Sequence, residues 1–163
     1  MRASTLLLCI AAISMLVENA AAREFPEGNP RWLVLEGKGA ATPEIVTVLG
    51  ELPDPAMRAR FPVLLQIAWG YASLPNGMPP EAEIVRGREL YANLDRIIGQ
   101  GGIYAMSRTG GGGRTMYYYV QSTAAHSESI RRYFDSLPPI SVKVIARDEP
   151  EWTSVKEVLD GVK

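Results

Sequence analysis

Three short stretches of this chain hold residue types that do chemistry. "DEPEW", Asp148 to Trp152, gathers Asp148, Glu149 and Glu151. Carboxylates this close can share general acid and base duty or collect a hard cation. His126 is the only histidine, set beside Ser127, Glu128 and Ser129. A serine–histidine–acid relay or a histidine metal site would have to use it. In "RTGGGGRTMYYYV", Arg108 to Val120, four glycines lead through an arginine to three tyrosines. Glycines cradle phosphates when a helix N-terminus follows them, usually with a lysine and a hydroxyl residue.

Each stretch also has a plainer account. Asp148 precedes a helical pattern, Pro150 falls in the first turn, and Glu151 lies three residues after Asp148. That is a capping-box spacing, with acids near the positive end of the helix dipole. No second histidine or G-x-S-x-G elbow supports His126, so a solvated position at a helix start is favoured. The residues after the glycines are β-branched and aromatic, so a strand follows them. Glycine then supplies the positive φ that hairpin turns demand. A small hydrolase using Asp148, Glu151 or His126 is the enzymatic alternative. No cofactor or metal set is read.

These residues need elements to position them. "RWLVLEG" (31–37) and "EIVTVLGEL" (44–52) form an N-terminal hairpin pattern, with "KGAATP" between them. "PDPAMRARFP" is a connector with a helical turn at most. In "VLLQIAWGY" (63–71), Val63, Leu65, Ile67 and Trp69 share one face. After the "SLPNGMPP" turn, Ile84, Gly87, Tyr91, Leu94 and Ile98 recur at helical spacing, and Gly99 stands at the stop. Two strands flank the glycines. A helix follows, capped by Ser122 or Thr123, with Ile130, Tyr133, Phe134 and Leu137 on one side. "ISVKVIA" (140–146) alternates as a strand, and a last helix carries Trp152, Val155, Val158 and Leu159.

From Pro62 the order is β-α-β-β-α-β, then a helix. The expected fold is α+β, ferredoxin-like: a split β-α-β antiparallel sheet with helices on one face. An N-terminal β-hairpin and a C-terminal helix complete it. The first and third of these four strands lie in the middle.

The 163 residues suit one domain with its own core, and the formal net charge of −1 offers no basic field for nucleic acid. Arg2, the apolar run Leu6 to Val17 and the small residues Ala20 to Ala22 read as a secretory signal peptide over 1–22. Cleavage after Ala22 would leave a single domain over 23–163, periplasmic or secreted, with no membrane span. Cys9 is the only cysteine, so the mature chain would have no disulfide and no thiol nucleophile.

The tyrosines carry the binding expectation. With a side-chain period of two, Met116, Tyr118 and Val120 face the helices, while Tyr117 and Tyr119 face away. Tyr104, Met106 and Arg108 join them as a protein-contact surface if that sheet face is open. The alternative is that the N-terminal hairpin or a partner covers it. The negative charge and the missing glycine–aromatic interleaving of an RNA-binding motif argue against nucleic acid. The expected activity is non-enzymatic: contact with a protein partner, or self-association through the sheet face.

"RFPVLLQIAWGY", "LPNGMPPEAE", "RTMYYYV" and "DEPEWTSV", taken in order, resemble the bacterial domain-of-unknown-function 695 family, over about residues 31 to 157. The resemblance implies no catalytic residue. Some members of that family are joined to a domain like the regulator of ribonuclease E, which implies protein binding.

Overall fold

The computed structural model describes residues 31–37 and 42–162; the expected signal peptide and the polar lead-in lie outside the described residues. The elements are β1 (Trp32–Glu36), β2 (Glu44–Leu49), α1 (Pro55–Arg60), β3 (Val63–Gly70), α2 (Glu81–Ile98), a 3-10 turn (Gly99–Gly101), β4 (Gly102–Gly110), β5 (Gly113–Val120), α3 (Ser127–Asp135), β6 (Val142–Asp148) and α4 (Thr153–Asp160).

Local chemistry sets the boundaries. The four glycines close a two-residue hairpin loop, with Gly111 at φ 57° and Gly112 at φ 78°. Two consecutive left-handed residues give the turn whose twist matches paired strands. Gly99, at φ 51°, ends α2. α1 is more than the single turn expected of a connector. Asp54 accepts the Met57 N–H at 2.8 Å and Pro55 supplies a preset φ at the helix start.

The strands form one six-stranded antiparallel sheet in the order β1-β2-β4-β5-β3-β6. β3 and β5 lie side by side between β4 and β6, as the sequence order predicts. The N-terminal hairpin extends the sheet through β2 and β4 rather than covering a face. Its second strand explains why: Thr47, Val48 and Leu49 are buried in succession, which suits a strand enclosed on both faces.

The two crossover helices α2 and α3 pack on one face, and α1 and the C-terminal α4 add a second layer on the other. Leu65, Ile67, Met116, Tyr118 and Val120 meet Leu90, Leu94 and Ile98 of α2 and Ile130 of α3. On the opposite face, Leu64, Ile103, Met106 and Tyr119 meet Met57 of α1, Phe61, Trp152 and Val155 of α4. The fold is α+β with a sheet between two helical layers. The second layer is short and covers only one end of its face.

Candidate functional site

The strand β5 divides its tyrosines as its period requires. Tyr118 turns toward α2, and Tyr117 and Tyr119 turn to the other face. On β4 the period breaks. Tyr104 pairs with Tyr118, but the next pair is Met106 with Tyr117, so Ala105 is an extra residue in a β-bulge. The bulge puts Tyr104 on the face opposite to Tyr117 and Tyr119, which corrects the expected grouping. Its ring lies 5.1 Å from Trp32, 5.2 Å from Tyr91 and 5.5 Å from Tyr118. Burial there pushes its hydroxyl up to about 12.

Met106 and Arg108 do share the face of Tyr117 and Tyr119, but the face is not uniformly open. Met106 and Tyr119 are core residues, at 1% and 0% exposure. The Tyr119 ring stacks on Trp152 at 3.8 Å between centroids and 7° between planes. Trp152 also donates its Nε1–H to the Phe61 carbonyl at 3.0 Å. To place that ring, Trp152 takes a left-handed backbone conformation, φ 54° and ψ 42°. For a residue with a Cβ this costs about 1–2 kcal/mol. The buried stack and the indole hydrogen bond offset that cost.

Below the stack, Glu149 ties four groups together. Tyr119 donates its hydroxyl to Oε1 at 2.6 Å, Arg147 donates Nε–H to Oε2 at 2.9 Å, and the Ser154 hydroxyl reaches Oε2 at 3.2 Å. The Ser154 backbone N–H also donates to Oε1. Burial opposes ionisation of this carboxyl. The bonds from Tyr119, Ser154 and Arg147 outweigh it and hold the group below the ordinary carboxylate range. Burial and the negative partner push the Tyr119 hydroxyl far up.

Glu149 is therefore the acid that caps α4, which corrects the expected Asp148/Glu151 capping box. Asp148 ends β6 opposite Val63, and Glu151 pairs outward with Arg58 at 3.2 Å. Sequence reading weighed the two acids on either side of Glu149 and passed over it. The signal was available in Pro150: a proline just after Glu149 turns the chain there, so the acid before the turn can reach back to the helix start.

The other half of the face is uncovered. Tyr117, Gln66 and Ile145 stand opposite one another across β5, β3 and β6. In an antiparallel sheet, facing residues share a side. Tyr117 and Gln66 are half-buried, while Ile145 is 38% exposed. Arg108 bonds Glu44 at 3.2 Å across the neighbouring strands. Lys143 and Arg147 flank Ile145 on the same side. β6 is an outer strand of the sheet, exposed along nearly its whole length.

The acids and the histidine of the hydrolase alternative are not brought together. His126 is buried at 7% exposure, not solvated, because the turn before α3 folds its ring onto Gly101. Gly102 is separated from Asp148 by the successive pairs with Val120 and Val63. Three strand spacings make about 14 Å. Among the described residues no group of three or more histidine, cysteine or acidic side chains is placed to hold a metal ion. No described helix is long and apolar enough to cross a membrane. Comparison of the chain with protein-family models, curated proteins and solved structures returned no match.

Proposed function

We propose that this chain is an exported, non-enzymatic protein-binding module whose contact surface is the uncovered half of the sheet face. Tyr117 and Arg108 are the members of the expected surface that remain accessible, joined by Gln66 and Ile145. One observation carries the reading: two tyrosines on one face of one strand have different fates, Tyr119 fully buried under α4 and Tyr117 left half-buried on a face that stays open out to the outer strand β6. The occupant is an extended, acidic segment of a partner protein, laid across this open face from β6 to β5. Its side chains then reach Ile145 and Tyr117, and its acids meet Lys143 and Arg147. A second copy of β6 fits less well, because pairing centred on Ile145 sets Lys143 against Arg147, two like charges.

The ferredoxin-like description belongs to the same proposal. It is supported by the order β4-β5-β3-β6 with α2 and α3 on one face. The likeness to the domain-of-unknown-function 695 family rests on the order of its short motifs. Periplasmic or secreted localisation rests on the leader-like N-terminus.

A direct test titrates the chain from Arg23 with a heptapeptide alternating valine and glutamate, and with its lysine counterpart. Amide NMR should show the acidic peptide perturbing β6 and Tyr117, more weakly as salt rises. Lys143→Glu should reduce the response. Equal responses to both peptides would contradict the reading, and a dimer in sedimentation would favour self-association.

A further inference from the structure

On the opposite face of the sheet lies a guanidinium with no anionic partner among the described residues. Arg114, the second residue of β5, stands between Thr109 of β4 and Trp69 of β3. Its side chain runs toward α2. Nε donates to the Thr109 hydroxyl at 2.9 Å, which fixes the plane of the group. Gly87 of α2 leaves room for it: a Cβ there would stand 2.6 Å from Nη1 and 3.5 Å from Cζ. Any side chain at that position would push the fork aside.

The surroundings of Arg114 are aromatic and cationic. Among the described residues, the ionisable groups acting on it are the Tyr104 and Tyr71 hydroxyls and the Arg88 guanidinium, with no carboxylate. Tyr71 is held in place by the loop before α2, since its hydroxyl donates to the Gly77 carbonyl at 3.1 Å. The Gly112 N–H donates to the same carbonyl at 2.9 Å, tying that loop to the hairpin tip. Among the described residues, Thr109 supplies the one acceptor for this guanidinium. Arg114 as a residue is half-buried rather than sealed from solvent. Burial lowers the pKa of the group, Tyr104 and Tyr71 oppose that, and Arg88 adds to it. Chains rarely take a cation out of water without an acid to pair it.

We propose that Arg114 anchors a binding site for the carboxylate of a small organic acid, entering between α2 and the tip of the β4–β5 hairpin. With Nε held by Thr109, the two Nη groups form a planar fork that matches the two oxygens of a carboxylate. A single negative charge balances the single desolvated positive one. Tyr71 and Tyr104 give the organic part of the ligand an aromatic wall. The site lies on the other side of the sheet from the proposed partner surface and does not depend on it.

The test follows the Arg114 Nε–Hε resonance while the chain from Arg23 is titrated at constant ionic strength. The probes are acetate, propionate and benzoate, with inorganic phosphate and chloride beside them. The carboxylates should shift that resonance saturably and raise the thermal midpoint. Arg114→Lys keeps the charge but not the fork, and should lose the thermal response, as should Gly87→Ala. Arg114→Met removes an unpaired desolvated charge, so its ligand-free midpoint should rise by a few degrees. Four results would overturn the proposal: a shift with phosphate alone, a shift with chloride equal to that with carboxylates, an unchanged thermal response in Arg114→Lys, or a lowered midpoint in Arg114→Met, which would mark the arginine as structural.

Discussion

Tyr117 and Tyr119 lie two residues apart on the same side of β5, and the chain treats them in opposite ways. Tyr119 has its ring under Trp152 and its hydroxyl on Glu149. Tyr117 faces Gln66 and Met106 across the sheet, and beyond them Ile145 and the Arg108–Glu44 pair. The difference is one of cover. The Trp152 ring at the start of α4 (Thr153–Asp160) stacks on Tyr119, and α4 then runs toward β2, so Tyr117 stays only half-buried. The teaching of the pair is that residue type and strand direction do not decide a role; the reach of the overlying element does.

The comparison breaks most severely at the lock. Trp152→Ala should cost about 3–5 kcal/mol, since it empties the space between α4 and the sheet. Glu149→Ala should cost about 3 kcal/mol, because it strands the buried Tyr119 hydroxyl and removes the α4 cap. Urea unfolding would measure both. A loss below about 1 kcal/mol in either variant would mean that α4 is not the cover described here.

Tyr119→Phe sharpens the contrast at lower cost. It keeps the ring stack and loses one charge-assisted hydrogen bond, for about 1–2 kcal/mol. Acid titration isolates the Glu149 carboxylate. Its folded pKa is held below the unfolded value of about 4.3. Its stabilisation is therefore present above that pH and is lost as pH falls through the lower folded value. Between about pH 5 and 3 the thermal midpoint of the parent should fall more steeply than that of Glu149→Gln. Parallel slopes would show that this carboxyl carries none of the acid sensitivity.

At the open end the expected stability effects are the smallest. Arg108→Ala should change stability by less than about 0.5 kcal/mol, as its pair with Glu44 is partly exposed and screened. Its effect belongs in the salt dependence of partner binding.

The sequence shows the same contrast in what could be read ahead. Strand and helix periods made the core face legible: Leu65, Ile67, Tyr118 and Val120 meet α2 and α3 as their alternation predicts. The turn glycines were legible because positive φ at Gly111 and Gly112 has a steric cause. Tyr104 was misplaced because a bulge adds one residue at Ala105, and alternation counted across a bulge inverts every side before it. The lock was illegible for a different reason. Glu149, Tyr119 and Ser154 meet only after β6 has paired with β3 and the chain has turned at Pro150. Pro150 marks the turn beside Glu149, but the partners that Glu149 gains there come from β5 and α4, so the lock itself is not local. Arg114 stood out even less, since an arginine in a strand resembles any solvated one until Gly87 is seen beside it.

The most direct test of the account compares Tyr117→Ala with the parent in one pair of measurements, the thermal midpoint and the affinity for the acidic heptapeptide. The account predicts a midpoint within about 2 °C of the parent and an affinity weakened about tenfold or more, as loss of an aromatic anchor entails. An unchanged affinity, or a midpoint lowered as far as in Tyr119→Ala, would show that Tyr117 is core and that the two ends of the face do not differ.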